Sequence, residues 1–134
     1  MDMSQYQELF FEEAAEHLQS LNQNLLALEN NPERLDLLDG IFRASHTLKG
    51  MSATMGYDVI AQLTHQLENL LENLRERKLE LNAPVFNCLF KTADSLESLL
   101  ETLRAGNDLH VDIDKLTNEL FSLEKGDKKG DDKG

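Results

Sequence analysis

Apolar residues return at steps of three and four along almost the whole chain, and this spacing constrains the fold more than any other feature. Tyr6, Phe10, Ala14, Leu18, Leu21, Leu25 and Leu28 mark one face of a long first helix that should end near Asn30. Asn31-Pro32-Glu33 then reads as a new start, with a capping side chain, a proline at the first helical position and an early acid. In the second helix Leu35, Leu38, Ile41, Phe42, Ser45, Leu48 and Ser52 form the inner stripe, and Met55-Gly56-Tyr57 closes it. A third helix carries Ile60, Leu63, Leu67, Leu70, Leu71 and Leu74 and should finish around Arg77 and Lys78, where basic residues suit the negative end of the helix dipole. Asn82-Ala83-Pro84 opens a fourth, with Phe86, Leu89, Phe90, Ala93, Leu96, Leu100 and Leu103 inward and Gly106 as its stop.

Four amphipathic helices on short loops predict an all-α fold, an antiparallel up-down four-helix bundle. Asp112 is expected to cap an additional fifth helix at about 111–124, with Ile113, Leu116 and Leu120 on its apolar side. The expected domain therefore spans 1–124. Residues 125–134 contain only Lys, Asp and Gly, too little apolar surface for a core, and are expected to be a flexible linker or tail.

With 13 basic against 25 acidic residues, the chain lacks the Lys and Arg clusters that phosphate backbones require, so no nucleic-acid partner is expected. No stretch approaches the roughly 18 apolar residues of a membrane span, and Met1-Asp2-Met3-Ser4 does not begin a signal peptide. Cys88 is the only cysteine, which excludes an internal disulfide and suits a reducing cytoplasm. No membrane partner and a cytoplasmic location are therefore expected.

His46-Thr47-Leu48-Lys49-Gly50, followed on the next helix by His65-Gln66-Leu67-Glu68, is the stretch on which chemistry can rest. At about 100° per residue, with Ser45 at the centre of its stripe, His46 falls at about 100° and Lys49 at about 40°. Relative to Leu67, Glu68 lies at about 100° and His65 at about 160°, both off the buried stripe. If the two helices are neighbours, Glu68 reaches one nitrogen of His46. A carboxylate on Nδ1 fixes the tautomer and leaves the Nε2 lone pair outward as a nucleophile. Lys49 would offset the charge of an incoming phosphoryl group. Gly50 costs the helix about 1 kcal/mol relative to alanine and would leave room for an approaching partner. From spacing alone, a histidine at a helix margin beside an acid is more often a plain surface contact. His17 and His110 read as margin and loop residues, and Met51 and Met55 as packing.

The run Phe42-Arg43-Ala44-Ser45-His46-Thr47-Leu48-Lys49-Gly50-Met51-Ser52-Ala53-Thr54-Met55-Gly56, with His65-Gln66-Leu67-Glu68-Asn69-Leu70-Leu71, resembles the histidine-containing phosphotransfer domain at the N-terminus of the CheA family of chemotaxis sensor kinases. The likeness covers about residues 4 to 124. It implies His46 as the phosphorylated residue, Glu68 as its hydrogen-bonding partner, and Lys49 and His65 as supporting polar groups. It also implies a carrier that takes phosphate from a separate kinase domain, which holds ATP and Mg2+, and passes it to receiver domains of chemotaxis response regulators.

No Gly-x-x-x-x-Gly-Lys loop is present, so no cofactor is expected in this domain. The chain is expected to be one piece of a protein-histidine kinase and to be no complete enzyme by itself. Two other classes compete. A metal-binding bundle would use His46, His65 and Glu68 as ligands, but di-iron bundles use Glu-x-x-His pairs and the order here is His65-x-x-Glu68; no metal is expected. An acidic scaffold without chemistry would leave Gly50 unexplained.

Overall fold

The computed structural model describes residues 2–107 together with Lys115 and Asn118, and all regular structure among them is α-helical. The helices are α1 (Met3–Asn30), α2 (Leu35–Thr54), α3 (Asp58–Arg75) and α4 (Ala83–Arg104). At 1.5 Å per residue the 28-residue α1 is about 42 Å long, the longest of the four. Each helix packs on the next and α4 returns to α1, which closes a four-helix ring around one core. The cross-helix pairs show the direction. His46 meets Glu68 while Asp39 meets Arg75, so residue numbers rise on α2 as they fall on α3. Gln7 bonding Tyr57 and Arg104 pairing with Glu8 show the same reversal between α1 and the end of α2 and between α1 and α4. The expected antiparallel bundle is observed. Of the fifth helix expected at 111–124 only Lys115 and Asn118 are described, and His110 and the tail expected at 125–134 lie outside the described residues.

The predicted stripes and helix ends hold with three corrections, and of the predicted inward residues Phe42, Phe90 and Leu103 are only partly buried. Leu18, Leu21, Leu25 and Leu28 of α1, Leu38, Ile41 and Leu48 of α2, Ile60, Leu63, Leu67, Leu70 and Leu71 of α3, and Leu89, Ala93 and Leu96 of α4 are all buried. Tyr6 and Leu35 are exposed, each in the first turn of its helix. Phe11 is buried in place of Tyr6, its ring stacked with Tyr57 and edge-on to Phe10.

The second correction concerns the start of α2. Asn31 does not cap it: its backbone N–H donates to the carbonyls of Ala27 and Leu28 and its side chain to Ala27, so it closes α1. Pro32 and Glu33 form a turn, and α2 begins at Leu35 behind Arg34, which makes no side-chain cap. Asn82 does cap α4, accepting from the Val85 N–H at 3.0 Å, with Pro84 in the first turn as expected. The third change is at the end of α3, which stops at Arg75 rather than Arg77. Arg77 takes the left-handed conformation (φ 61°) that turns the chain back toward α4.

Candidate functional site

The α2 and α3 helices bring His46, Lys49 and Glu68 into one hydrogen-bonded group. His46 and Lys49 are three residues apart and so project from the same side of α2. Glu68 faces them from the middle of α3 and divides its two oxygens between them. Oε2 lies 2.5 Å from Nδ1 of His46, and Oε1 accepts from Nζ of Lys49 at 2.6 Å. The two histidine nitrogens are thereby distinguished: Nδ1 turns inward to a carboxylate, and Nε2 sits on a side chain that is 65% exposed.

Burial separates the members of the group. Glu68 is only 8% exposed, against the expectation that it sits off the buried stripe. The buried arc of α3 is wider than its leucine stripe, for Thr64 and Glu68, four residues apart, are both covered by the packing of α2 on α3. Burial pushes the Glu68 carboxyl up. The hydrogen bonds from Lys49 and His46, and their charges, more than offset this and hold it below the usual carboxylate range. Glu68 is therefore an anion at neutral pH, able to accept from both neighbours.

His65 lies on the exposed side of α3 and, among the described residues, makes no hydrogen bond or ion pair. The structure therefore brings together three of the four polar residues singled out by sequence and leaves His65 outside their hydrogen bonds. At about 160° from Leu67 it is about 60° further round the helix than Glu68. Gly50 is exposed, and a Cβ built on it would meet nothing within 4 Å. Packing does not require a glycine there, and its missing side chain leaves the surface beside His46 open.

Among the described residues no group of three or more His, Cys, Asp and Glu side chains could hold a metal ion. Both Glu68 oxygens are already engaged by donors. No described helix is long and apolar enough to cross a membrane. What this site can do chemically is narrow: present one imidazole nitrogen to solvent while a buried carboxylate fixes the proton on the other and stabilises positive charge as it develops on the ring.

A model of the Hpt domain matches residues 5–121. The chain belongs to the Hpt domain family. It is 46% identical to the chemotaxis protein CheA of Bacillus subtilis over 120 residues, which cover 90% of this chain and 18% of that one. It thus spans less than a fifth of that relative's length. Among solved structures, the CheA phosphotransferase domain from Thermotoga maritima superposes with a TM-score of 0.74 at 37% identity, over 77% of this chain and 98% of the other. The phosphorylated P1 domain of CheA3, in complex with CheY6 from R. sphaeroides, superposes with a TM-score of 0.82 at 26% identity, covering 91% and 97%.

Sequence reasoning did not find Phe42 and Arg75 as part of the site's surroundings. The Phe42 ring is stacked near the His46 ring, and the Arg75 guanidinium lies over Phe42. Phe42 falls in the apolar stripe of α2, where an aromatic four residues before a histidine carries no separate signal.

Proposed function

We propose that the chain is the phosphotransfer domain of a chemotaxis histidine kinase, in which Nε2 of His46 accepts the γ-phosphoryl group of ATP and passes it to an aspartate of a response-regulator receiver domain. The observation that carries this reading is the Glu68 carboxylate 2.5 Å from Nδ1 of an otherwise exposed imidazole. With the proton on Nδ1, the Nε2 lone pair attacks the γ-phosphorus, a nitrogen–phosphorus bond forms, and the bond to ADP breaks. The phosphorylated ring keeps its Nδ1 proton and is positively charged, and the Glu68 anion stabilises it. Lys49 keeps Glu68 ionised and aimed. Onward transfer reverses the polarity: a carboxylate oxygen attacks the phosphorus and neutral imidazole leaves. His65 serves as a supporting polar group at the rim, and Gly50 leaves space beside His46 for the approach of either partner.

ATP and magnesium belong to a separate catalytic domain, and this domain is substrate and carrier. The phosphorylated CheA3 domain in complex with CheY6 supports a receiver domain as the second partner. A fifth helix at about 111–124, preceding a linker at 125–134, completes the proposed domain, and a cytoplasmic setting suits its partners.

Incubation with labelled ATP and a matching kinase core tests the reading. His46→Gln should remain folded by circular dichroism, since the side chain is largely exposed, and should take up no label. The wild-type label should be lost in acid and survive alkali, as a nitrogen-bound phosphate does. Continued labelling of folded His46→Gln would mean that another residue carries the phosphate.

A further inference from the structure

His46 is mostly exposed, and a hydrogen bond at one nitrogen leaves a ring free to rock about that contact. A second constraint lies next to it. Phe42 stands one helical turn earlier on α2, and its ring plane is within 12° of the imidazole plane, with centroids 6.5 Å apart, an offset parallel arrangement. Phe42 is only partly buried against the core, so packing alone does not hold it. The Arg75 guanidinium carbon lies 4.4 Å from the centre of its ring, within cation–π range. Arg75 is itself fixed at two points: Nε donates to Oδ1 of Asp39 at 2.9 Å and Nη1 to Oε1 of Glu72 at 3.1 Å. A connected series of contacts therefore runs from an ion-pair cluster on α2 and α3 through Phe42 to the imidazole.

We infer that Phe42, held by Arg75, is a positioning residue for His46. Its ring bounds the space into which the imidazole can turn, so that Nδ1 remains on Glu68 and Nε2 remains outward. This rests on the reading of His46 as the phosphoryl acceptor. Glu68 decides which nitrogen carries the proton, while Phe42 decides how much of the time the ring is in register with Glu68. The two act from different directions, one through a hydrogen bond and one through a surface.

The test combines 15N NMR of the His46 ring with steady-state phosphorylation of the 134-residue chain by a kinase core. Phe42→Leu keeps apolar bulk and removes the flat face. It should give a ring that exchanges between tautomers instead of one fixed Nδ1–H form. Its kcat should fall about 3- to 10-fold, the size of one aromatic contact converted to a rate, with KM for the chain unchanged. Phe42→Tyr retains the face and should retain both the tautomer and kcat. Arg75→Gln leaves the Phe42 ring in place and loosens it, so it should move both readouts in the same direction by less. It also decides the question if Phe42→Leu loses helicity. A wild-type tautomer and kcat in folded Phe42→Leu, or an equal loss in Phe42→Tyr, would overturn the role. Failure of the wild-type chain to label on His46 would instead overturn the acceptor reading, and the NMR comparison would still judge Phe42 by itself.

Discussion

Glu68 holds two donors of different kind, and replacing it by its isostere shows why a carboxylate is needed. Lys49 has only protons to offer, so in Glu68→Gln the single amide oxygen is drawn to the ammonium. The amide NH2 is left facing Nδ1, where it can only donate. That inverts the tautomer, moves the ring proton to Nε2 and removes the lone pair that would attack phosphorus. Phosphorylation should slow by about 10- to 100-fold, the range for outer partners that orient a histidine, while helicity is unchanged. Single-turnover labelling at saturating ATP reads the rate, and an unaltered rate would reduce Glu68 to a structural ion-pair partner.

At the scale of the element, α2 carries residues that its packing does not require. Gly50 sits in the helix with open space where its Cβ would be, so Gly50→Ala should raise stability by about 0.5–1 kcal/mol through helix propensity alone. If the open surface serves partner approach, the same variant will be more stable and slower in phosphoryl transfer; denaturant melts and a transfer assay on one preparation separate the two. Ser52 is fully buried and, among the described residues, its hydroxyl has no hydrogen-bond partner. Ser52→Ala should therefore be neutral or stabilising by up to about 1 kcal/mol, measured in the same melts.

The helices themselves were legible in sequence because each signals its inner face several times over: six leucine and isoleucine positions on α3 were expected to be buried and all six are. The boundaries were less so where one residue can serve two helices. Asn31 has the chemistry of a start signal, yet it ends α1, since the last carbonyls of that helix compete for the same side chain. In the site, the facing of His46 and Glu68 followed from helical angles, whereas the burial of Glu68 depended on how closely α2 approaches α3, which no angle on one helix contains.

For the whole molecule, 25 acidic against 13 basic residues set how stability answers to pH, and the titrating groups pull in opposite directions. Lys78 and a hydrogen bond shared with Glu72 hold the Glu76 carboxyl low, whereas Glu72 has its own raised by that shared bond, by burial and by its neighbour's charge, so that protonation of Glu72 as pH falls favours the folded state. General relief of negative self-repulsion on acidification acts in the same sense. Glu68 acts the other way. Its folded pKa lies below the ordinary value of 4.5, so it binds protons more readily in the unfolded chain. Its contribution is complete above the unfolded value and is lost as pH falls through the lower folded one.

A single melt mixes these terms, but the difference between wild type and Glu68→Gln removes everything the two proteins share. From its value at about pH 5 that difference should shrink as the solution passes below 4.5 and the wild-type carboxyl becomes as uncharged as the amide. That starting value should be about 1 kcal/mol, the gap between a charged and a neutral acceptor for Lys49. Thermal melts of both proteins at half-unit intervals between pH 3 and 7 measure it. A gap that persists undiminished at pH 3 would mean that shape, and not charge, holds α2 to α3 at this point. The ionised Glu68 on which His46 depends would then have to be demonstrated by direct titration of its carboxyl carbon.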